Sequence, residues 1–191
     1  MKVIGFTGNY AMEDRLIHSY VMADSSVLFT GRPFFIPDFA QQFVATPSIV
    51  VRTGRLGKCI APKFAHRYWD AFTAGFSVCA VSSDNESLTV LDRCFDGAAI
   101  VGDWIPVAEV DDPLHEAVEV RVGDKLVSRH CLAEMCMPLA EMLAGVSTRC
   151  SIKMGDFLFT GETGEGITLQ PGQRLSATIA GKPVLNVSVR L

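Results

Sequence analysis

The chain has 191 residues, long enough for one domain to bury roughly 70% of the surface its unfolded form exposes, so no stapling disulfide or metal is required. Hydrophobic residues make up 49% and charged residues 20%, with no apolar run near the ~20 residues of a membrane span, which reads as a soluble globular protein. A formal net charge of -4 argues against a general affinity for nucleic acid.

The opening residues Met1 to Phe6 are interrupted by Gly5 and then Gly8, too soon for the apolar stretch of a signal peptide, which predicts a cytoplasmic protein. The six cysteines include no Cys-x-x-Cys pair and read as reduced thiols. Strands are expected at Val3 to Phe6, Ile49 to Thr53, Thr73 to Val81, Ala98 to Val101 and Phe157 to Thr160. Between the second and third, Arg52, Arg55, Lys58, Lys63 and Arg67 form a locally basic stretch, read as a solvated turn and helix face.

Pro62 opens an expected helix over Lys63 to Phe72, with Phe64, Tyr68 and Phe72 spaced by four. Val118, Val120 and Val122 alternate with Glu119 and Arg121, and Gly123-Asp124 turns into Lys125-Leu126-Val127 as a hairpin. Pro138 opens a short helix with Leu139, Met142 and Leu143 on one face, expected to stop at Gly145. Leu175, Ala177 and Ile179, then Leu185, Val187, Val189 and Leu191, give the strictest alternation, joined by Ala180-Gly181-Lys182. Without a linker, repeat or low-complexity tract, the sequence predicts a single β-rich α+β domain over 1–191.

Common catalytic patterns do not fit. Gly161, Gly164 and Gly166 precede a strand rather than a helix, and Glu162 and Glu165 would repel a phosphate. There is no Gly-x-Ser-x-Gly elbow, and His18, His66, His115 and His130 lack zinc-type spacing. His66 reads as a surface residue, and Tyr68-Trp69 as packing.

The segment Gly155-Asp156, Phe157-Leu158-Phe159, Thr160-Gly161-Glu162, Gly164-Glu165-Gly166 and Pro171-Gly172-Gln173 carries the strongest signal. It resembles the fumarylacetoacetate hydrolase family, which reads Gly-Asp, an apolar strand, Thr-Gly-Thr-Pro, Gly-Val-Gly and Pro-Gly-Asp in that order. Gly8-Asn9-Tyr10-Ala11, Phe34 to Phe39, Arg93-Cys94-Phe95-Asp96-Gly97, Gly102-Asp103-Trp104-Ile105 and Val122-Gly123-Asp124 extend the similarity along nearly the whole chain. The resemblance implies a rolled, mixed β-sandwich assembled as a homodimer. It also implies cleavage or isomerisation of 2-oxo and 1,3-dicarbonyl acids through Mg²⁺, Mn²⁺ or Ca²⁺ bound by Glu-x-Glu on one strand and Asp on a later one.

Aligned with that family, the carboxylate positions hold Thr46, Ser48 and Ser77, and no Glu-x-Glu exists between residues 40 and 60. Neutral hydroxyls supply none of the charge that holds a divalent ion against its hydration shell, so no metal cofactor is expected. The family's general-base histidine falls at or near Glu13, a pocket lysine near Met22, another pocket lysine at Arg93, and Thr-Gly-Thr becomes Thr160-Gly161-Glu162. A framework retained while its metal and substrate shell changes points to a family member without the metal site and without metal-dependent activity. Two other readings stand beside it. One is an active hydrolase or isomerase with a rebuilt centre, holding a 2-oxo acid through Arg93 with Glu13 or Glu162 as base. The other is a ligand-binding or partner subunit of a catalytic paralogue.

Overall fold

A computed structural model describes residues 1–10, 16–81 and 90–191. In chain order its strands are β1 (Val3–Thr7), β2 (His18–Met22), β3 (Val27–Phe29), β4 (Phe34–Phe35), β5 (Gln42–Thr53), β6 (Trp69–Val81) and β7 (Ala99–Val101). They continue with β8 (Ile105–Pro106), β9 (Val118–Val122), β10 (Lys125–His130), helix α1 (Leu139–Arg149), β11 (Phe157–Phe159), β12 (Ile167–Thr168), β13 (Arg174–Ile179) and β14 (Lys182–Arg190).

One sheet runs β2-β1-β11-β5-β6-β7-β3, with β12 on β5 and β8 on β6; the other runs β10-β9-β13-β14-β4. The outermost strands of the first order, β2 and β3, are joined by residues 23–26 alone. Five Cα steps reach at most about 18 Å, so the first sheet must curl until its two edges approach. Gly97 N–H donates to the Ser26 carbonyl and Ala23 N–H to Cys94 Sγ, both at 3.1 Å, tying the crossing to the loop before β7.

Side-chain alternation sorts each strand of this sheet between two environments. Phe43, Ala45, Ile49 and Val51 of β5, with Phe72, Ala74, Phe76 and Val78 of β6, face the main core. There they meet Val120, Leu175, Ala177 and Val187 of the second sheet and Leu139, Met142 and Leu143 of α1. The opposite, concave face buries a smaller cluster of Val3, Met22, Val50, Ala99, Val101, Phe157 and Phe159. Two sheets with a rolled layer and one flanking helix match the expected β-rich α+β architecture.

Both expected hairpins form, β9 with β10 and β13 with β14. The helix expected over 63–72 does not. Pro62–Arg67 make a 3₁₀ segment, and from Trp69 the chain is strand, because Ala71 and Phe72 pair with Arg52 and Val51 of β5. Phe64, placed on the buried stripe by the helical reading, is exposed. The four-residue spacing is also a multiple of the strand period of two, so Phe72 falls in line with Ala74 and Phe76 on the core face of β6.

Helix α1 continues past Gly145 to Arg149, and its apolar face extends to Val146. The basic stretch is spent locally. Arg52 pairs with Asp70 at 2.8 Å, Arg55 lies over Tyr68, and Lys63 and Arg67 lie over Phe64. His66 is exposed. The six cysteines are free thiols, and among the described residues no helix is long and apolar enough to cross a membrane.

Candidate functional site

The concave face changes character along the strands. At one end it is apolar; at the other, β5 presents Thr46 and Ser48 and β6 presents Ser77 on the same side of the sheet. Thr46 lies directly opposite Ser77, and Ser48 opposite Gly75, so the antiparallel register alone gathers the three hydroxyls. They are 9%, 3% and 4% exposed, respectively, which makes their hydrogen-bond partners decisive.

Two side chains from outside these strands converge on Ser77. Tyr20 of β2 donates its phenolic O–H to Ser77 Oγ at 2.8 Å. Arg93, ending the 3₁₀ turn Val90–Arg93, donates from Nη1 to the same oxygen at 3.3 Å, and its guanidinium lies 4.9 Å from the centre of the Tyr20 ring. Burial raises the Tyr20 pKa, against the lowering effects of the Ser77 hydrogen bond and the Arg93 charge. The Cys79 thiol, next along this face of β6, is likewise raised by burial and lowered in part by Arg93.

Tyr20 can cross the concavity because Gly5 is its cross-strand partner: a Cβ at Gly5 would lie 2.1 Å from the phenol ring. Ser48 donates to the Ile49 carbonyl at 3.1 Å. Beyond β11 the chain keeps running beside β5, with Thr160 N–H on Ile49 O and Thr163 N–H on Pro47 O, both at 2.9 Å. Glu162 therefore stands level with Ser48, and its negative charge helps to raise the Tyr20 pKa.

The Asn-Tyr and Thr-Gly signatures fasten to each other at the rim. Asn9 donates to Thr160 O at 2.8 Å and accepts from Met137 N–H at 2.7 Å. Gly161 has φ of 140°, and a Cβ there would come within 2.8 Å of the Asn9 Cβ. Thr160 Oγ1 donates to Ile49 O at 2.9 Å and so accepts the Tyr10 hydroxyl at 3.0 Å. Burial raises the Tyr10 pKa strongly. Asp156 of the Gly-Asp pair is buried, accepting Lys2 N–H at 2.7 Å and Lys153 N–H at 2.8 Å beside the Lys2 ammonium.

Thr46, Ser48, Ser77, Arg93 and Glu162 thus lie in one region, whereas Glu13 lies outside the described residues. Met22, aligned near a pocket lysine, is instead buried in the apolar cluster of the concave face. Tyr20 went unnoticed in the sequence. Its strand is short and largely exposed, and the one available signal was the glycine in β1 that makes room for a large ring.

The chain matches the family model described as fumarylacetoacetate (FAA) hydrolase C-terminal over residues 8–190, and it belongs to that family. No curated protein gives a significant match. Among solved structures, fumarylpyruvate hydrolase from Pseudomonas aeruginosa, in complex with Mn²⁺ and pyruvate, superposes with a TM-score of 0.87 at 19% identity, over 100% of this chain and 90% of that one. The 5-carboxymethyl-2-hydroxymuconate delta-isomerase from Mycobacterium smegmatis gives 0.85 at 19% identity, over 99% and 78%. Maleylpyruvate hydrolase from Sphingobium sp. SYK-6 gives 0.86 at 17% identity, over 99% and 70%. At these identities the likeness is one of fold.

The three aligned positions present no carboxylate to the divalent cation that the family resemblance implies. Thr46, Ser48 and Ser77 bring hydroxyls and no negative charge, and a guanidinium already donates to Ser77 Oγ. A divalent ion there would face that fixed positive charge. No group of three or more His, Cys, Asp or Glu able to hold a metal occurs among the described residues.

Proposed function

We propose that this chain keeps the fumarylacetoacetate hydrolase fold without the metal site, and that it is not a metal-dependent hydrolase, isomerase or decarboxylase of 2-oxo and 1,3-dicarbonyl acids. The observation that supports this reading is the Arg93 Nη1–Ser77 Oγ contact of 3.3 Å: a guanidinium stands beside the position aligned with the third carboxylate ligand. Function depends on the site and not on the fold around it, so neighbours that act on hydroxymuconate or pyruvate derivatives do not by themselves pass on their chemistry.

The test is elemental analysis of purified protein after extensive dialysis, together with turnover of acylpyruvates and oxaloacetate with and without Mg²⁺ or Mn²⁺. The expected result is no stoichiometric metal and no metal-stimulated turnover. One tightly held divalent ion per chain would overturn the reading.

The alternative of a rebuilt catalytic centre draws support from Glu162, a carboxylate level with Ser48 that acts on the Tyr20 phenol. Metal-independent turnover abolished by Glu162→Gln would establish it. For assembly we propose a cytoplasmic homodimer, supported by the exposed apolar side chains of Val21, Phe35 and Phe39. Light scattering on the purified chain distinguishes it from a monomer, and co-purification with a catalytic paralogue would favour the partner-subunit role.

A further inference from the structure

We propose that one end of the first sheet is a docking surface for an anionic lipid bilayer, with lysines and arginines at headgroup level and Leu56, Phe64 and Met154 entering the interface. None of these residues belongs to the hydroxyl group around Ser77.

Strand order creates the surface. β5 ends at Thr53, β6 begins at Trp69, and β11 begins at Phe157 opposite Arg52, so the β5–β6 connection and the loop from α1 to β11 emerge at the same end. There they are tied together. Gly57 and Ile152 exchange backbone hydrogen bonds at 2.9 and 2.8 Å, Gly155 N–H donates to Thr53 O at 2.7 Å, and Cys59 N–H donates to Ser147 O at 3.0 Å. Ile60 and Ile152 are buried in the core. Leu56 and Met154 are 67% and 76% exposed, and Phe64, on the 3₁₀ segment, is 41% exposed.

Arg55, Lys58, Lys63, Arg67, Arg149 and Lys153 are exposed around them. No Asp or Glu occurs in 52–69 or in 142–155. Among the described residues none of these six cations pairs with a carboxylate. Five of them instead meet rings and neutral carbonyls: Arg55 lies over Tyr68, Lys63 and Arg67 over Phe64, while Lys58 donates to Thr148 O and Arg149 to Gly145 O. Such contacts hold a side chain in place without cancelling its charge.

The acids at this end have their own partners. Asp70 pairs with Arg52, Asp156 with Lys2, and Asp24 with the N-terminal ammonium. Asp103 and the acidic run from Glu109 to Glu116 flank β8, which pairs with β6 through Pro106 and Ala71, on the side of β6 away from β5 and β11. The positive charge is therefore local, on a chain of net charge -4. Cations alternating with exposed apolar side chains on separate short segments suit a fluid anionic surface, whose headgroups answer the charge and whose acyl boundary takes the apolar tips. A polyanion such as polyglutamate would answer the charge and leave Leu56 and Met154 in water.

The experiment is co-sedimentation of the purified full chain with vesicles of phosphatidylcholine alone and of phosphatidylcholine with about one third phosphatidylserine. The expected result is partition at least about tenfold stronger onto the anionic vesicles, declining as salt rises to about 0.5 M. Each cation near the surface contributes about fivefold, so Lys58→Gln with Lys153→Gln weakens binding by about tenfold or more. Leu56→Ser with Met154→Ser weakens it by a similar factor of about ten. The tryptophan introduced by Leu56→Trp shifts its emission to the blue on anionic vesicles. Circular dichroism establishes that each variant is folded.

No binding, or equal partition onto neutral vesicles, overturns the proposal. Unchanged partition of folded Lys58→Gln/Lys153→Gln overturns it, as does unchanged partition of Arg67→Gln should that double variant not fold. Unshifted Leu56→Trp emission on bound vesicles overturns the insertion of the apolar tips. Binding to soluble polyglutamate without binding to anionic vesicles overturns the lipid assignment in favour of an acidic polypeptide.

Discussion

Tyr20 on β2 hydrogen-bonds Ser77 on β6 at 2.8 Å although β1, β11 and β5 lie between their strands in the sheet. Four strand spacings across a flat sheet would be about 19 Å, far beyond the reach of a tyrosine. The bond exists because the sheet curls, and it braces the edge strand against the centre across the concavity. Tyr20→Phe removes it and leaves the ring in place. The expected loss is about 1 kcal/mol, a fall of roughly 2–4 °C in melting temperature by calorimetry. A variant as stable as the wild type would show that the hydroxyl has no bracing role.

Burial raises the pKa of both Tyr10 and Tyr20 above the ordinary phenol value of 10.0. The folded chain therefore retains phenolic protons that the unfolded chain releases once the pH passes that value. The stabilisation is fully present below pH ~10 and is lost as the pH climbs further, by up to ~1.4 kcal/mol per pH unit for each phenol. Urea midpoints measured from pH 9 to 11.5 should fall over that window, and the Tyr10→Phe/Tyr20→Phe double variant should flatten the fall. An equally steep fall in the double variant would assign the alkaline sensitivity to other groups.

Gly5 and Tyr20 should couple. An alanine Cβ at position 5 would lie 2.1 Å from the Tyr20 ring, so Gly5→Ala must displace the phenol from Ser77 and destabilise by about 1–3 kcal/mol. With Tyr20→Ala already made, Gly5→Ala should cost little. A double-mutant cycle in urea reads this directly, and strictly additive effects would mean that the ring does not depend on the glycine.

The Asn-Tyr and Gly-Asp signatures predict structural penalties. Asn9→Ala leaves the buried Thr160 carbonyl and the Met137 N–H without the partners that Asn9 supplied, at about 2–4 kcal/mol. Asp156→Asn sets an amide where a carboxylate accepts from Lys2 and Lys153, at about 1–3 kcal/mol. Chemical denaturation checks both, and wild-type midpoints would refute these roles.

Restoring carboxylates tests the geometry of the hydroxyl triad. Thr46→Glu, Ser48→Glu and Ser77→Asp together should still bind Mn²⁺ poorly, because Arg93 would pair with the new aspartate. Adding Arg93→Met should raise the affinity at least about tenfold, since removing a neighbouring cation favours both the carboxylate and the bound ion. Titration calorimetry decides, and a folded quadruple variant that binds no Mn²⁺ at millimolar concentration would show that the three positions do not converge.

The sequence by itself determined the hairpins of 118–130 and 174–190, where strict alternation is interrupted by glycine turns, and it determined which residue types stand at the ligand positions. It picked out Thr46 and Ser77 only through the family resemblance; that β5 begins at Gln42 and sets Thr46 opposite Ser77 is a matter of strand pairing, which the structure shows. It misread 69–72, where pairing with β5 overrides a four-residue spacing that helix and strand share. It was silent on β2, whose five mostly exposed residues carry no periodicity strong enough to mark a strand. Only the tertiary structure decided that Tyr20, Arg93 and Ser77 meet. That meeting depends on the curl of a sheet whose two edge strands are joined by residues 23–26, and curvature summed over many strand pairs leaves no mark in any local stretch of sequence.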